Sequence, residues 1–291
     1  MPRQGPQAQR FCLWHAPQDT PPKTLIVHVH AFAEEMNKSR RMAALQSYAL
    51  ARAGHAVMQI DLLGCGDSAG DFGDATWQSW VDDVVDAVGL ARDRHARIWP
   101  GAPRPQLWLW GHRAGCLIAA AAMPRIKGGC NFLFWQPTHS GKAVLQQFLR
   151  LETAGALLGK STTRANNSAR AALAAGDVAQ IAGYRLNAEL AGGLEAARLR
   201  PGSPIPADAG RVEWIDLAPV PQPEPTPATQ QGLREWATAG FAVRHHSVTG
   251  PAFWQTTEIE DAPALIVAAL EALAAAAARD EAPTVAVPLA A

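Results

Sequence analysis

A short motif near the middle of the chain has the spacing of a catalytic turn but lacks a nucleophile. The apolar run Leu107–Trp110 is followed by G-H-R-A-G at residues 111–115 and then by small, apolar residues. Two glycines four positions apart, after a strand and before a helix, are typical of the G-x-S-x-G turn that raises a serine above a sheet. The central residue here is Arg113, whose guanidinium stays protonated and has no lone pair for attack on a carbonyl carbon. The motif therefore predicts a strand-to-helix turn and argues against acyl-enzyme chemistry at this position.

A cation at such a turn predicts an anionic partner. The N–H groups and the dipole of a helix N-terminus already produce a positive potential, so Arg113 needs a negative charge beside it. In one interpretation Arg113 binds a carboxylate, phosphate or sulfate of a ligand, together with the backbone N–H groups of Ala114 and of the Phe32 region. In the other, Glu34 or Glu35 neutralises Arg113 within the protein. The sequence leaves both interpretations open.

Histidines occur at the end of a predicted strand close to the turn. His28 and His30 are two positions apart in T-L-I-V-H-V-H, so they share one face of the strand. Together with Glu34 they have a usable metal-ligand spacing. We prefer a hydrogen-bonded core role for His28 and a place in the wall of a ligand pocket for His30, and we predict no metal and no cofactor. His245 and His246 are adjacent, must point to opposite faces, and are assigned structural roles.

Other side chains with nucleophilic chemistry have simpler structural interpretations. Cys116 lies one turn into the predicted helix, where a buried thiol is inert. Ser140 follows His139 directly, but adjacency in sequence rarely gives the geometry of a catalytic pair, and Ser140 is better placed as a helix N-cap.

Composition excludes several classes of function. The chain has 291 residues, with 26 basic and 26 acidic side chains, so no overall field indicates binding to nucleic acid or to an acidic membrane. Its four cysteines lack the spacing of a zinc site or a disulfide framework, which favours a reducing compartment. The first residues contain no apolar signal segment, and the alanine-rich segment 262–278 is too weakly apolar to span a membrane. We expect a cytoplasmic protein.

Apolar runs alternate with helical patterns along most of the chain, which predicts a mostly parallel sheet with helices on its faces. Thr76 is the predicted cap of a long amphipathic helix, while Asn37 and Asp261 are predicted caps of the first and last helices. The predicted strands are Phe11–His15, Thr24–His30, Ala56–Leu62, Leu107–Trp110, Asn131–Trp135, Val212–Leu217 and Phe241–Val248.

The pattern changes between residues 140 and 199, where consecutive helices with no intervening strand predict a helical cap over the strand ends. The core domain is then formed by residues 10–139 and 200–280, and residues 281–291 are predicted to be a disordered tail. Alternate prolines between Pro219 and Pro227 predict a stiff, extended spacer.

Several longer strings resemble the α/β-hydrolase superfamily and, within it, the exosortase A system-associated hydrolases of type 2. The resemblance extends over about residues 10–275. The strings that carry it are Glu34–Arg41, Asp61–Ser68, Asp71–Trp77, Trp135–Pro137 with Gln147–Arg150, and Phe253–Gln255. The resemblance implies an α/β-hydrolase fold, with a mostly parallel sheet flanked by helices and a helical cap inserted after the sixth strand. It also implies a bacterial setting in exopolysaccharide production and protein sorting by exosortase.

The positions that the superfamily uses for catalysis are occupied by other residues. Arg113 stands at the serine position, Pro251 lies in the run that normally carries the histidine, and residues 218–221 (A-P-V-P) stand where the acid is expected. We therefore predict a pseudoenzyme that binds an anionic small molecule, or acts as an accessory to a protein partner of the exosortase and polysaccharide system. The predicted ligand-binding residues are Arg113, Ala114, His30, Phe32 and Glu34. The alternative is an acyl ester or thioester hydrolase or transferase that uses a non-standard site.

Overall fold

A seven-stranded sheet forms the centre of the computed structural model, which describes residues 9–157, 168–205, 209–222 and 224–280. Its strands are β1 (Cys12–His15), β2 (Thr24–Val29), β3 (Ala56–Ile60), β4 (Gln106–His112), β5 (Asn131–Trp135), β8 (Arg211–Ala218) and β9 (Ala242–Thr249). The order across the sheet is β1-β3-β2-β4-β5-β8-β9, with only the edge strand β1 antiparallel to its neighbour. The predicted mostly parallel sheet is confirmed.

Helices cover both faces of this sheet, because its central strands are apolar on both sides. One face packs against α1 (Glu34–Arg52) and α8 (Pro263–Asp280). The other packs against α2 (Trp77–Ile98), α3 (Gly115–Ala122) and α7 (Pro227–Thr238). The chain crosses from β3 past β2 to β4, so the carboxyl ends of β2 and β4 lie at a topological switch point, where open α/β sheets bind ligands.

The segment between β5 and β8 is not purely helical. It contains α4 (Gly141–Leu157), α5 (Ser168–Ala174) and α6 (Ala188–Ala196), but also a hairpin of β6 (Ala179–Ile181) and β7 (Tyr184–Leu186). Ala182 and Gly183 join the two strands with φ of 48° and 87°, which is the backbone of a tight two-residue hairpin turn. The insertion follows the fifth strand in chain order, and not a sixth.

Two predicted helix caps are wrong and one is confirmed. Thr76 caps α2 through a reciprocal pair of hydrogen bonds with Ser79. Asn37 lies inside α1, which begins three residues earlier at Glu34. Glu34 and Glu35 in the first turn stabilise this start, because acidic side chains interact favourably with the positive end of the helix dipole. Asp261 instead accepts two hydrogen bonds from the Arg41 guanidinium, at 2.8 and 2.9 Å, just before α8.

Some predictions fall on parts of the chain that the structure leaves out. The proposed disordered tail, residues 281–291, lies outside the described residues, as does Pro223 in the proline-rich segment. The rest of that segment is not a spacer between domains, because it connects β8 to α7 and its Pro227 is the first residue of α7. The four cysteines are free. None of the described helices has the length and apolar character needed to cross a membrane.

Candidate functional site

The predicted strand-to-helix turn is present at residues 111–115. β4 ends at His112 and α3 begins at Gly115, while Arg113 between them has a φ of 54°. Glycine is required two residues before and two residues after Arg113, at Gly111 and Gly115. A Cβ on Gly111 would lie 2.6 Å from the Cα of Cys116, and one on Gly115 would lie 2.8 Å from the carbonyl carbon of Val29. The turn therefore has the close backbone contacts of a nucleophile elbow.

Strained backbone is concentrated around this turn. Three residues other than glycine with left-handed φ follow three neighbouring strands at the same edge of the sheet. They are Ala33 after β2 (49°), Arg113 after β4 (54°) and Gln136 after β5 (42°). Such conformations cost of order 1–3 kcal/mol each and cluster at functional sites. Their grouping marks this edge as the candidate site.

The Arg113 guanidinium forms an ion pair within the protein. Its Nε lies 3.3 Å from both carboxylate oxygens of Glu35, and its Nη2 donates to Glu35 Oε1 at 3.1 Å. Gln147 on α4 completes the group, because its Oε1 accepts from Arg113 at 3.4 Å and its Nε2 donates to Glu35 at 3.2 Å. The side chains of Arg113 and Glu35 are only 12% and 6% exposed. The sequence left open which residue neutralises Arg113. In the structure the partner is Glu35, and not Glu34.

A cavity of about 580 Å³ opens beside this ion pair. The carboxyl ends of β4, β5 and β8 form its floor, α4 forms one wall, and the loops after β8 and β9 form the others. Its volume lies within the range of small-molecule sites, roughly 300–1,000 Å³. Side chains that line it include Arg113, Gln136, Thr138, Gln147, Asp216 and Trp254.

Asp216 is a charged residue of this cavity that the sequence analysis missed. Its Oδ1 accepts from the Trp214 indole N–H at 2.9 Å, and its Oδ2 accepts from the Thr229 hydroxyl at 3.2 Å. The same Oδ2 lies 3.0 Å from His245 Nε2 on the neighbouring strand β9. These three contacts hold the carboxylate fixed and leave it hydrogen-bonded on both oxygens.

Comparison with known proteins places the chain in a family. A sequence profile of the family described as serine aminopeptidase S33 matches residues 20–193, more than half of the chain. The chain belongs to this family. No curated protein matches the sequence.

Solved esterases share the fold at low sequence identity. Est1E from Butyrivibrio proteoclasticus, bound to ferulic acid, is 18% identical with a TM-score of 0.57, covering 92% of this chain and 96% of that one. A thermostable carboxyl esterase from Bacillus coagulans in complex with glycerol is 14% identical with a TM-score of 0.56, covering 92% and 94%. The likeness shows an α/β-hydrolase fold, as the sequence predicted, and nothing finer.

The serine aminopeptidase S33 name presupposes a serine nucleophile, and in an α/β-hydrolase fold the nucleophile stands at the elbow. Here the elbow carries Arg113, and the loop after β9 carries Pro251 and no histidine. Phe253 in that loop stacks on His112 instead, with ring centroids 5.4 Å apart. His246 lies on the other face of β9 from His245, 2.6 Å from the buried Glu213.

The predicted ligand-binding residues lie near one another but do not share one cavity. Arg113 lines the large cavity, and Ala114 is buried directly behind it at the start of α3. Phe32 is buried and packs edge-to-face on Phe72, Trp80 and Phe148. The roles of Arg113, Ala114 and Phe32 in ligand binding stay predictions.

His30 and Glu34 are also removed from the large cavity. The Nδ1 of His30 donates to the carbonyl of Ala31 at 2.7 Å, and its Nε2 accepts from the N–H of Leu62 at 3.2 Å, which fixes a neutral tautomer. Burial lowers the pKa of His30. Glu34 Oε2 is buried without a hydrogen-bond partner among the described residues, and burial raises the pKa of this carboxyl group.

The remaining nucleophile candidates are structural in this arrangement. Burial raises the pKa of the Cys116 thiol well above its usual value, so the thiolate is absent at neutral pH. His139 stacks on Trp214 at 5.4 Å, and burial lowers its pKa. Ser140 directly precedes α4, the position of an N-cap. Among the described residues, no group of three metal-ligating side chains occurs.

Replacing Arg113 by methionine is expected to destabilise the protein by about 3 kcal/mol, because the mostly buried Glu35 carboxylate would lose its charged partner. Urea unfolding of a double-mutant cycle with Glu35→Gln measures the coupling. The double variant should recover most of the loss, since both charges are then removed. Additive single effects would mean that the two side chains do not interact.

Proposed function

We propose that this protein binds a small molecule in the cavity beside Arg113 and does not form an acyl-enzyme at its elbow. The observation that carries the proposal is the elbow itself. A guanidinium occupies the position of the nucleophile and is held by Glu35 and Gln147, while the cavity above it is retained. Loss of an elbow serine removes on the order of 10⁶ in rate from a working triad.

A fluorophosphonate probe and a panel of acyl esters and thioesters test this proposal. We expect neither covalent labelling nor turnover above the uncatalysed rate. The Arg113→Ser variant should also remain unlabelled, because the loop after β9, where the superfamily places the histidine that activates the elbow serine, carries Pro251 and no histidine. A serine without an adjacent base is a poor nucleophile.

Stoichiometric labelling of the wild-type protein would overturn the proposal, and mass spectrometry of the adduct would then identify the nucleophile. A catalytically active serine esterase, run in the same assay, shows that the probe is reactive. Labelling of protein that was heat-denatured before the probe was added measures the chemical background, which is subtracted.

The second candidate function is acyl ester or thioester hydrolysis or transfer through a non-standard site. It is favoured by one observation, the contact between Asp216 and His245 at the cavity wall. If this pair acts in catalysis, His245→Gln should abolish turnover and its pH dependence, whereas His246→Gln on the opposite face of β9 should leave both unchanged. Equal effects of the two variants, or no turnover in the wild type, would remove this candidate.

We also propose a physiological setting that rests on the sequence resemblance alone. The strings that resemble exosortase A system-associated hydrolases motivate an accessory role in bacterial exopolysaccharide production and protein sorting, in the cytoplasm and with a protein partner from that system. Affinity purification of the tagged chain from its native host tests this. Recovery of no component of that system above an untagged control would count against it.

A further inference from the structure

We propose that a second cavity, at the opposite edge of the sheet from Arg113, binds a phosphate group or a similar tetrahedral oxyanion. The cavity has a volume of about 200 Å³ and is formed by the end of α2, the loop 99–105 and the start of β2. Arg92 and Arg104 line it. It shares no lining residue with the cavity beside Arg113, so this inference goes beyond the proposed function and does not depend on it.

The loop after α2 holds Arg104 in place. The N–H of Ala102 donates to the carbonyl of Trp99 at 3.2 Å and closes a turn directly after the helix. Arg104 follows between Pro103 and Pro105. The ring of a proline fixes its own φ and restricts the residue before it, so the backbone around Arg104 has few accessible conformations. Arg104 therefore lines the cavity from a preorganised loop.

The two guanidiniums lack a paired counter-charge among the described residues. In that part of the chain, the side chains of Arg92 and Arg104 have no ion-pair or hydrogen-bond partner. Asp93 also lines the cavity, but it is exposed and pairs with neither arginine, so an excess of positive charge remains. Burial raises the pKa of the nearby Cys130 thiol to about 12, so this group is uncharged at neutral pH.

The two arginines lie close enough to repel each other. Burial lowers the pKa of Arg92, and the charge of Arg104 lowers it further. Because Arg92 is half-buried, its charge has also lost part of its hydration. An anion that contacts both guanidiniums would stabilise both charges at once.

The dipole of α2 accounts for neither arginine. Basic side chains stabilise the last turn of a helix, and Arg97 in the last turn of α2 is such a residue. The effect falls off within that turn. Arg92 lies more than one turn before the end of the helix at Ile98, and Arg104 lies outside the helix. Their convergence on one cavity therefore indicates a ligand.

The two guanidiniums select an oxyanion as that ligand. Their planar N–H groups bind the oxygens of phosphate and sulfate through paired, charge-assisted hydrogen bonds. His95 lines the cavity as a neutral ring at pH 7, because burial lowers its pKa, and Trp99 adds an aromatic wall. The volume is below the roughly 300–1,000 Å³ of sites for drug-sized ligands, so the cavity suits a single anionic group.

Inorganic phosphate is the probe that tests the site. Titration calorimetry and phosphorus NMR at constant ionic strength should show saturable binding of phosphate, which sulfate displaces and chloride does not. Binding should weaken as the salt concentration is raised, because added ions screen charges that contact solvent. Absence of saturable phosphate binding, or displacement by chloride as effective as that by sulfate, overturns the inference.

Matched variants locate the binding. Arg92→Gln and Arg104→Gln should each weaken phosphate binding about ten-fold, because each removes a charged hydrogen-bond donor. Arg97→Gln, exposed on the same helix and outside the cavity, should leave the affinity unchanged. Equal phosphate affinity of Arg97→Gln and Arg104→Gln overturns the inference. So does a lower unfolding temperature of Arg104→Gln without phosphate, since Arg104 would then have a partner inside the protein.

Two further probes separate the sources of the phosphate group. Glycerol 3-phosphate represents a soluble phosphate ester, and phosphatidylcholine vesicles with and without phosphatidic acid represent a lipid headgroup. Sedimentation with the phosphatidic acid vesicles that Arg104→Gln reduces assigns the group to a lipid. Binding of glycerol 3-phosphate without sedimentation assigns it to a soluble ligand. Binding of neither probe overturns the inference.

Discussion

Gly115→Ala is expected to destabilise the protein by about 3 kcal/mol or more, because the new methyl group would meet the backbone of β2. The added Cβ would lie 2.8 Å from the Val29 carbonyl carbon and closer still to its oxygen. β2 is buried between β3 and β4 and cannot move aside without breaking both pairings. Urea unfolding, followed by tryptophan fluorescence, measures the loss.

The chain offers a matched control for this substitution. Gly89 is exposed on the long helix α2, and a Cβ built on it meets no atom within 4 Å. Gly89→Ala should therefore stabilise the protein by about 0.5–1 kcal/mol, since alanine favours a helix interior over glycine. Equal stability of the two variants would mean that the elbow does not need the close approach of α3 to β2.

The elbow could be predicted from sequence because its determinants are local. Two glycines, a preceding apolar strand and a following apolar helix lie within about a dozen residues, and each is a direct consequence of close packing at one turn. The capping pair of Thr76 and Ser79 is equally local and was predicted at the correct residue. Properties fixed by neighbouring residues in the chain are those that a single sequence reveals.

The partner of Arg113 could not be chosen from sequence because it depends on helical register. A cap at Asn37 would have left Glu34 and Glu35 in a loop, where either could reach the elbow. The structure begins α1 at Glu34 instead, and successive residues of a helix point about 100° apart. Only Glu35 is therefore directed at Arg113, while Glu34 is directed elsewhere.

Residues brought to the cavity from distant segments were missed for a related reason. Asp216 on β8 contacts His245 on the adjacent strand β9, and α7 lies between these two strands in the sequence. Gln147 contacts Arg113 from the inserted segment. Neither contact has a local pattern, because both depend on how the sheet is ordered and on how α4 lies over it. The β6–β7 hairpin was missed although Ala182-Gly183 marks its turn, because three-residue strands are too short to show alternation.

Stability is expected to fall steeply below pH 6.5, because buried histidines resist protonation in the folded state. Burial lowers the pKa of His28 to about 3, with smaller effects of His30 and Arg40, and lowers the pKa of His55 to about 4, with a smaller effect of Lys23. The unfolded chain protonates the same histidines near pH 6.5. Between these values only the unfolded state binds the proton, so the free energy of unfolding decreases as the pH falls.

The size of this effect follows from the proton balance. Each such histidine removes about 1.4 kcal/mol per pH unit below 6.5, until its folded pKa is reached. At pH 5, His28 and His55 together remove about 4 kcal/mol, a large part of the 5–15 kcal/mol typical of domains. Burial also lowers the pKa of His30 and of His112, which adds to the loss. Urea unfolding at half-unit intervals from pH 7.5 to 5 measures the slope.

One variant identifies the source of the slope. His55→Gln removes one titrating ring and keeps a hydrogen-bonding side chain beside the Thr24 hydroxyl, which lies 2.8 Å from His55 Nδ1. Between pH 6 and 5, unfolding of this variant should take up about one proton fewer than unfolding of the wild type. Its free energy of unfolding should therefore fall less steeply as the pH is lowered. An unchanged slope in this variant, or a flat profile in the wild type, would show that these imidazoles are protonated inside the folded protein. The sheet would then have to hold charge close to its centre, since His28 lies on β2 against the Trp110 ring of β4.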